Sequence, residues 1–398
     1  MTAPQHALFL DVSGRRVVVV GGGPVAARRA ARLVGDGADV LVVAPALCED
    51  LADHVAAGRV TWRARDYLTT DLDGAWLVHT ATGDRAVDDA VAADAEAVRL
   101  WCVRADDASA SSAWTPAVAR SGDVTVAVGT GGDPRRAVAL RNAVALLLDT
   151  GGLPLRHHRP STGRVTLVGG GPGDPGLITT RGRRALAEAD VVVVDRLAPR
   201  ALLAELDPAV EIIEAGKSPH AHTLTQTEIN AVLVERARAG HRVVRLKGGD
   251  SFVLGRGGEE VLACVSAGVP VEVVPGVTSA LAVPASAGIP VTHRGLARQL
   301  TILSAHDTAP DWAVLARLEG TLVLLMGVAQ LPSHTRALLA HGKDPGTPVA
   351  IVENGTLPGQ RTTVGTLADI ADLARERGVG NPAVVVIGDV AALADVLA

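Results

Sequence analysis

Three short patches within residues 243–294 place glycine, proline or a small polar residue directly after a β-branched run. They read VVRLKGGDSFVLGRGGEE, VVPGVTSALA and AGIPVTHR. Glycine and proline at the end of a strand let the backbone turn sharply and approach a ligand closely. Three such turns so near one another predict a single cleft that is lined by loops.

The composition favours buried strands covered by helices. At 398 residues the chain exceeds what one hydrophobic core usually organises, so we expect two or three domains. Hydrophobic residues make up 48% of the chain and aromatic residues only 2%, so Val, Ala and Leu must fill the cores. Val-rich strands that are buried on both faces indicate α/β layers rather than a β-sandwich.

Charge, cysteines and hydropathy argue against several classes of protein. A net charge of −5 disfavours a broad nucleic-acid interface, which needs a basic face. Cys48, Cys102 and Cys264 lack metal-ligand spacing, so we expect no metal site, no disulfide framework and a cytoplasmic location. The first residues show no secretory signal. Residues 273–292 are uncharged, but prolines and glycines interrupt them, so we expect no membrane span.

The first part of the chain predicts a Rossmann-like domain. A Val-rich strand at 16–20 leads into GGGPVAARRAARLVGDGADVLVVAP, which supplies a glycine turn, a helix, a tight turn and a second strand. Further strands are predicted at 76–80, 99–103 and 124–128, with helices at 84–97 and 134–149. We assign residues 1–149 to this domain and residues 150–163, TGGLPLRHHRPSTG, to a linker.

The glycine turn has the setting of a dinucleotide-binding site. Gly21 permits the tight turn, Gly23 lets backbone approach a pyrophosphate, and the helix N-terminus offers N–H donors. The acid that commonly binds the ribose is missing, because the second strand ends Val-Ala-Pro45. The predicted NAD contacts are Gly21, Gly23, Pro24, Val25, Pro45 and Ala46. The alternative is an α/β turn that holds no nucleotide.

Asp106 follows a predicted strand, at the end where α/β folds present ligands. Its carboxylate is a candidate general base or metal contact. The alternative is an aspartate that only caps a turn.

The second part, residues 164–398, also alternates strands and helices. It opens with RVTLVGGGPGDPG, a second glycine turn in which Pro172, Asp174 and Pro175 make a poor phosphate cradle. Strands are predicted at 191–194, 210–213, 242–246, 300–303, 322–325, 349–352 and 384–387. A capping box from Thr225 to Glu228 starts one helix. We expect two lobes around a cleft, with their boundary near residues 245–300.

Eight motifs occur in the order seen in uroporphyrinogen-III C-methyltransferases. They are Gly169-Gly-Gly-Pro-Gly-Asp174, Asp195-Arg-Leu197, Gly216-Lys217, Arg245-Leu-Lys-Gly-Gly-Asp250, Gly255-Arg-Gly-Gly-Glu-Glu260, Pro275-Gly-Val-Thr-Ser279, Gly288-Ile-Pro-Val-Thr-His-Arg294 and Glu353-Asn-Gly355. This resemblance runs from Arg164 to the C-terminus. The whole chain resembles the siroheme synthase family, in which a precorrin-2 dehydrogenase domain precedes the methyltransferase. The expected fold class is therefore α/β, a Rossmann-like domain followed by a two-lobed tetrapyrrole methylase domain.

The resemblance implies that S-adenosylmethionine binds between the two lobes. The positions that match its contacts are Pro172, Gly248, Gly249, Asp250, Val253, Thr278, Ser279, Met326 and Gly355. A sulfonium and an α-amino group favour a nearby carboxylate such as Asp250, and paired glycines admit close backbone contact. A single Gly-Gly-Asp is more often a plain turn.

The resemblance also implies that Asp195 accepts a proton and Lys217 donates one. Asp195 follows the strand at 191–194, so it lies at a carboxyl end of the sheet. The alternatives are a salt bridge for Asp195 and an ion-pair role toward substrate for Lys217. Because the substrate carries many carboxylates, basic side chains should line the cavity. The candidates, each of which can instead be a solvated surface group, are Arg181, Lys247, Arg256, His293 and Arg294.

Two features depart from the family. Ser251 replaces the usual proline after Gly-Gly-Asp, which should loosen that loop. The helical dimerisation segment between the two parts is reduced to the helix at 134–149 and a short linker, so iron insertion is not carried over.

The resemblance therefore implies an enzyme that methylates uroporphyrinogen III to precorrin-2 and oxidises precorrin-2 with NAD. By analogy with the methyltransferase family, it also implies a homodimer that forms through the second part of the chain. Nucleic acid and membrane are not expected partners. One alternative keeps the methyltransferase and makes the first domain a binding or docking module. Another makes the second part a relative of the same fold that acts on RNA or protein.

Overall fold

The computed structural model describes residues 6–153, 155–157, 162–216, 224–306 and 310–397. The chain divides into two compact units, Met1–Ala145 (unit 1) and Leu146–Ala398 (unit 2). Among the described helices, none is long and apolar enough to cross a bilayer.

Unit 1 is built on a parallel sheet with helices on both faces. Its strands are β1 (Arg16–Val20), β2 (Asp39–Val43), β3 (Thr61–Arg63), β4 (Leu77–Thr80) and β5 (Trp101–Arg104), followed by a hairpin of β6 (Ala117–Ser121) and β7 (Val124–Val128). Its helices are α1 (Pro24–Gly35), α2 (Glu49–Ala56) and α3 (Arg85–Ala97), and α4 (Pro134–Asp149) crosses into unit 2. The strand order is β3-β2-β1-β4-β5.

The order of the sheet reverses direction at β1, which pairs with β2 on one side and with β4 on the other. Val17 and Val19 pack into the core cluster on the α1 face, whereas Val18 and Val20 pack into the cluster on the α3 face. Continuous valine therefore fits a strand that is covered on both sides. The carboxyl ends of β1 and β4 form the crevice in which doubly wound sheets bind ligands.

The first lobe of unit 2 is a second parallel sheet. Its strands are β8 (Arg164–Gly169), β9 (Val191–Val194), β10 (Glu211–Glu214), β11 (Arg242–Lys247) and β12 (Val271–Val274), in the order β10-β9-β11-β8-β12. Its helices are α5 (Thr180–Ala187), α6 (Gln226–Arg238), α7 (Gly257–Ser266) and α8 (Ser279–Ser286). Thr225 and Glu228 form the predicted capping box at the start of α6.

The second lobe of unit 2 is a mixed sheet. Its strands are β13 (Leu300–Ser304), β14 (Thr321–Leu325), β15 (Pro348–Glu353), β16 (Arg361–Thr366) and β17 (Ala383–Ile387), in the order β13-β14-β17-β15-β16. Its helices are α9 (Trp312–Arg317), α10 (Leu331–Ala340), α11 (Ile370–Glu376) and α12 (Ala394–Leu397). Ala280 and Val283 of α8 pack into the core of this sheet, so α8 leads from the first lobe to the second.

The predicted fold class is confirmed, with local differences. The short strand β3 and the polar strand β16 escaped prediction because neither carries a run of apolar residues. The expectation that AGIPVTHR follows a strand is wrong, since residues 279–286 form α8. Small apolar residues there pack as a helix on the second sheet.

Candidate active site

In the glycine turn of unit 1, two glycines are tightly packed and the third is not. A Cβ on Gly21, whose φ is +127°, would overlap the carbonyl oxygen of Ala81, and a Cβ on Gly22 would overlap that of Ala46. A Cβ on Gly23 would meet no atom within 4 Å. The loops after β2 and β4 therefore close around this turn, and the space in front of Gly23 is free for a ligand.

The N-terminus of α1 points into that space without a side-chain cap. Gly23 is the N-cap residue and has extended backbone, Pro24 follows, and Val25 is exposed. Uncapped N–H groups and the positive end of the helix suit a phosphate. Ala46 lies against Gly22, so the predicted adenosine-side loop adjoins the turn. These residues fit a dinucleotide.

Asp106 lies just past the end of β5 and is held by Arg104. Arg104 donates from Nε to Oδ1 at 3.0 Å and from Nη2 to Oδ2 at 2.7 Å, and its third nitrogen bonds Asp89. The Arg104 side chain is almost fully buried, whereas Asp106 remains partly exposed. The hydrogen bonds from Arg104 hold the pKa of Asp106 below its usual range. Asp106 is therefore an ionised, oriented carboxylate at the ligand-binding edge of the sheet.

Sequence reasoning missed a buried pair beneath the same edge. Arg29 of α1 bonds Nδ1 of His79 at 2.9 Å and the carbonyl oxygen of Val103 at 3.0 Å. Burial, with a smaller contribution from Arg29, lowers the pKa of His79 to about 3. His79 is therefore neutral at physiological pH. The available signal was a histidine directly after the apolar residues Leu77 and Val78 of β4.

In unit 2, the loops after three neighbouring strands meet backbone to backbone. Gly171, after β8, and Gly249, after β11, exchange hydrogen bonds of 3.2 and 2.7 Å. A Cβ on Gly276, after β12, would overlap the carbonyl oxygen of Gly249. Asp250 accepts from the N–H of Gly276 at 2.9 Å and from that of Phe252 at 2.8 Å. These contacts build a narrow cradle that excludes side chains.

The start of α8 completes the cradle on one side. Thr278 is the N-cap residue of α8 and its hydroxyl accepts from the N–H of Ala280. A Cβ on Gly249 would lie 3.5 Å from the backbone nitrogen of Ser279. The structure thus brings together Gly249 and Asp250 of the loop after β11 with Thr278 and Ser279 at the start of α8, two segments that lie apart in sequence.

The second lobe reaches the cradle through the loop after β15. The hydroxyl of Thr356 accepts from the N–H of Asp174 at 3.2 Å, and Leu357 packs against Gly173. Gly355 leaves no room for a Cβ, because Val283 of α8 lies against it. Pro172 and Gly355 therefore flank one junction between the two lobes.

Strained backbone concentrates in the loops of unit 2. Among the described residues that are not glycine, φ lies between +48° and +69° at Arg99, which follows the C-cap of α3, and at five positions in unit 2: Leu254, Arg256, Met326, Asn354 and Thr356. Such conformations persist where the surroundings enforce them, and they cluster at functional sites. A β-branched residue such as Thr356 is especially costly there. Gln360 holds it, since its Oε1 accepts from the Thr356 N–H at 2.8 Å.

The remaining predicted contacts are Gly248, Val253 and Met326. Gly248 packs against the carbonyl oxygen of Leu197, on the loop that also carries Asp195, at 2.6 Å from an ideal Cβ. Val253 follows Asp250 by three residues, and Met326 directly follows β14. Lys217 lies outside the described residues.

Ser251, which replaces the usual proline, lies in a buried part of its loop. It is fully buried, and its carbonyl oxygen accepts from the N–H of Gly257 at 3.1 Å. On its other side, Asp250 accepts from the N–H of Phe252, so hydrogen bonds flank Ser251; that serine in place of proline loosens this loop stays a prediction.

Of the five basic candidates, four are exposed and only Lys247 is buried. Arg181 pairs with Glu272, and Arg256 makes two hydrogen bonds of 2.8 Å to Glu259. His293 and Arg294 are exposed. The expectation that Lys247 lines the substrate cavity is wrong, because Lys247 is only 3% exposed and its ammonium group donates to Glu260 inside the core.

The cradle suits a ligand such as S-adenosylmethionine. Its floor is open backbone, the carboxylate of Asp250 lies at its edge, and the start of α8 presents Thr278 and Ser279. A positively charged, nucleoside-containing ligand can be matched by a carboxylate, by hydroxyl and backbone groups, and by close glycine contact.

Each half of the chain matches a known protein family. Residues 164–371 match the family model of tetrapyrrole (corrin/porphyrin) methylases, and residues 8–117 match an NAD(P)-binding family. A siroheme synthase of Gluconacetobacter diazotrophicus is 39% identical over 445 aligned positions, which cover 96% of this chain and 95% of the relative. The chain belongs to the siroheme synthase family. The alignment has 445 positions, but 96% of the 398 residues of this chain is about 382. This chain therefore has a gap at about 63 of the aligned positions.

Two further proteins are similar to more than half of this member of the siroheme synthase family. An S-adenosyl-L-methionine-dependent uroporphyrinogen III methyltransferase of Methanosarcina barkeri is 51% identical over 241 residues, 59% of this chain and 94% of the relative. The crystal structure of uroporphyrin-III C-methyl transferase from Thermus thermophilus, complexed with S-adenyl homocysteine, has a TM-score of 0.51 and 43% identity. It covers 58% of this chain and all of that chain.

Proposed function

We propose that this chain is a bifunctional tetrapyrrole enzyme. Unit 2 methylates uroporphyrinogen III at two ring carbons and gives precorrin-2, with S-adenosylmethionine as the methyl donor. Unit 1 oxidises precorrin-2 to sirohydrochlorin with NAD. The observation that carries the proposal is the meeting of the loops after β8, β11 and β12 with the start of α8 and the loop after β15.

The proposed methyl-donor contacts are the residues of that meeting point and its flanks: Pro172, Gly248, Gly249, Asp250, Val253, Thr278, Ser279, Met326 and Gly355. Asp250 supports the assignment because its carboxylate sits between two loops and carries the charge that complements a cation. The names of the methyltransferases from Methanosarcina barkeri and Thermus thermophilus support the same ligand and substrate.

When bound, the methyl donor supplies an electrophilic methyl group, and the new carbon–carbon bond forms as the sulfur–methyl bond breaks. The protein must align the two reactants and remove one proton from the methylated ring. Asp195, which follows β9 at the carboxyl edge of the sheet, is the proposed acceptor of that proton. Lys217 is the proposed proton donor.

In unit 1, the dinucleotide supplies an acceptor for hydride. Gly21, Gly23, Pro24 and Val25 would hold its pyrophosphate, with Pro45 and Ala46 on the adenosine side. Precorrin-2 loses a hydride and a proton in this oxidation, and Asp106 is the proposed acceptor of the proton. Its pairing with Arg104 keeps it ionised and therefore able to accept.

Methyl transfer is tested with the purified chain, uroporphyrinogen III and S-adenosylmethionine. We expect precorrin-2 to form in the wild type. We expect Asp195→Asn to lower kcat by at least about a hundredfold with S-adenosylmethionine affinity within about threefold of the wild type, since it removes only the proton acceptor. Full activity of this variant would remove the assigned base, and an inactive wild type would refute the methyltransferase assignment.

The dehydrogenase is tested separately by adding NAD to precorrin-2 and following its absorbance. A change that requires NAD and is lost in Asp106→Asn supports catalysis in unit 1. Methyl transfer without any NAD-dependent change would instead make unit 1 a binding or docking module.

We further propose that residues 1–149 and 164–398 are the two catalytic domains, and that the chain forms a homodimer in the cytoplasm. Cys48, Cys102 and Cys264 are all unpaired thiols, which suits a reducing compartment. Light scattering of the purified chain measures the oligomeric state, and the mass of a single chain would refute the dimer.

A further inference from the structure

Four charged side chains form a cluster at the carboxyl end of the first-lobe sheet of unit 2. Arg245 and Lys247 lie on β11, Glu260 on α7, and Asp195 after β9. Arg245, Lys247 and Glu260 are each no more than 3% exposed, whereas the side chain of Asp195 is 39% exposed. The cluster therefore runs from the core to the surface, and Asp195 is its outer member.

Arg245 makes hydrogen bonds through two nitrogens of its guanidinium and directs the third toward Asp195. Nε donates to Oε1 of Glu260 at 2.9 Å, and Nη1 lies 3.4 Å from the carbonyl oxygens of Val193 and Leu246. Nη2 faces Oδ1 of Asp195 at 3.7 Å, an ion-pair distance. A planar fork that is fixed on one side presents its other side in a defined direction.

Lys247 and Gln226 fix the anchor of this arrangement. Lys247 donates to Oε1 of Glu260 at 3.2 Å, and Gln226 donates to the same oxygen at 3.3 Å. Burial disfavours the charged form of Lys247 and is the main cause of its lowered pKa. Glu260 thus holds both cations of β11 in place.

The cluster is a poor way to stabilise a fold. Arg245 continues the row that begins with Val243, whose neighbours are the apolar core between β11, α6 and α7. Replacing a buried ion cluster by apolar residues of similar volume is commonly neutral or stabilising. A function at the exposed end of the cluster therefore accounts for it better than stability does.

We propose that Arg245 is a positioning residue for methyl transfer, which holds the carboxylate of Asp195 in its working orientation at the edge of the cleft. This rests on the proposed function of Asp195 as proton acceptor. Glu260 serves as the internal anchor of Arg245. Neither residue needs to touch substrate or methyl donor.

The test is a double-mutant cycle of Arg245→Met and Asp195→Asn, in which kcat and KM for both substrates are measured in single-turnover and steady-state assays. We expect Arg245→Met to lower kcat by at least about tenfold, because the carboxylate loses its fixed orientation. S-adenosylmethionine affinity by calorimetry should change by less than about threefold. In the Asp195→Asn background the same substitution should change kcat by less than about twofold, because the group it positions is already gone.

Arg242→Met is the matched control. Arg242 lies on the same strand, at the amino end away from the cleft, and pairs with Glu188 at 3.6 Å. We expect kcat to stay within about twofold of the wild type, since this variant removes a strand arginine without touching Asp195. Glu260→Gln, which keeps the side-chain volume, replaces Arg245→Met in the cycle if the latter does not fold.

Loss of kcat that disappears in the Asp195→Asn background supports the proposal. An unchanged kcat in the single variant, an equal loss in both backgrounds, or an equal loss in Arg242→Met overturns it. A wild type without methyl transfer, or a fully active Asp195→Asn, overturns the proposed function and this inference with it. The failure of this inference can be distinguished from the failure of the proposed function. The outcomes that overturn the role of Arg245 alone require an active wild type and an impaired Asp195→Asn.

Discussion

The N–H of Gly276 donates a 2.9 Å hydrogen bond to Oδ2 of Asp250 and ties the loop after β12 to the loop after β11. This bond is possible because Gly276 has no side chain, since a Cβ there would overlap the carbonyl oxygen of Gly249. Gly169 also lies against this loop, since an ideal Cβ on it would be 2.6 Å from the backbone of Gly276. The geometry of the cradle is therefore set by glycines that touch one another.

Gly276→Ala should distort the cradle and weaken S-adenosylmethionine binding. Its neighbours are backbone atoms that cannot rotate away, so we expect a loss of about 2 kcal/mol or more in the free energy of unfolding. Calorimetry measures the binding and urea unfolding the stability. Gly258→Ala is the control, because a Cβ there would meet no atom within 4 Å and the position lies in α7. Wild-type binding by Gly276→Ala would contradict the assigned cradle.

Gly23→Asp should separate folding from nucleotide binding in unit 1. Gly23 is the uncapped N-cap of α1 with open space around its Cα. Aspartate is a favoured N-cap residue, so we expect stability to be kept or raised by up to about 1 kcal/mol. The same carboxylate would repel a pyrophosphate, so NAD affinity should be abolished. Unchanged affinity by calorimetry would show that the turn is only structural.

Much of the fold could be predicted because valine runs and glycine turns are local signals. The run at 191–194 matches β9 in both of its bounds, and the turn after 16–20 opens α1 as expected. Strand β3 has three residues and β16 reads RTTVGT, so neither displays the apolar run on which the prediction depended.

Candidate site residues could be predicted from the sequence only where they stand next to one another in a motif. Gly248, Gly249 and Asp250 stand together in sequence, and the structure joins them to Thr278 and Ser279 as expected of one cleft. The ion pair of Arg245 with Asp195 joins residues 50 positions apart, and its function depends on burial and direction rather than on spacing. Local patterns carry no information of that kind.

Arg104→Met should change the pH dependence of precorrin-2 oxidation. Hydrogen bonds from Arg104 lower the pKa of Asp106, so the carboxylate stays ionised as the pH falls below the usual range of an aspartate. Without Arg104 that pKa rises, and the acid limb of the kcat profile moves to higher pH. Asp89→Asn is the control, since it removes another partner of Arg104 but leaves the bonds to Asp106. An acid limb that is the same in both variants would count against Asp106 as the base.

His79→Gln should make unit 1 less sensitive to acid. Burial lowers the pKa of His79 to about 3, whereas the unfolded chain takes up this proton near pH 6.5. Between these values the unfolded state binds a proton that the folded state does not, so stability falls as the pH falls, by up to about 2 kcal/mol between pH 6.5 and 5. Glutamine does not titrate but can still accept from Arg29. Urea unfolding at pH 7 and pH 5, followed by tryptophan fluorescence, measures the difference, because Trp62, Trp76, Trp101 and Trp114 lie in unit 1 and only Trp312 in unit 2. The same loss of stability in the variant and the wild type would contradict a neutral, buried His79.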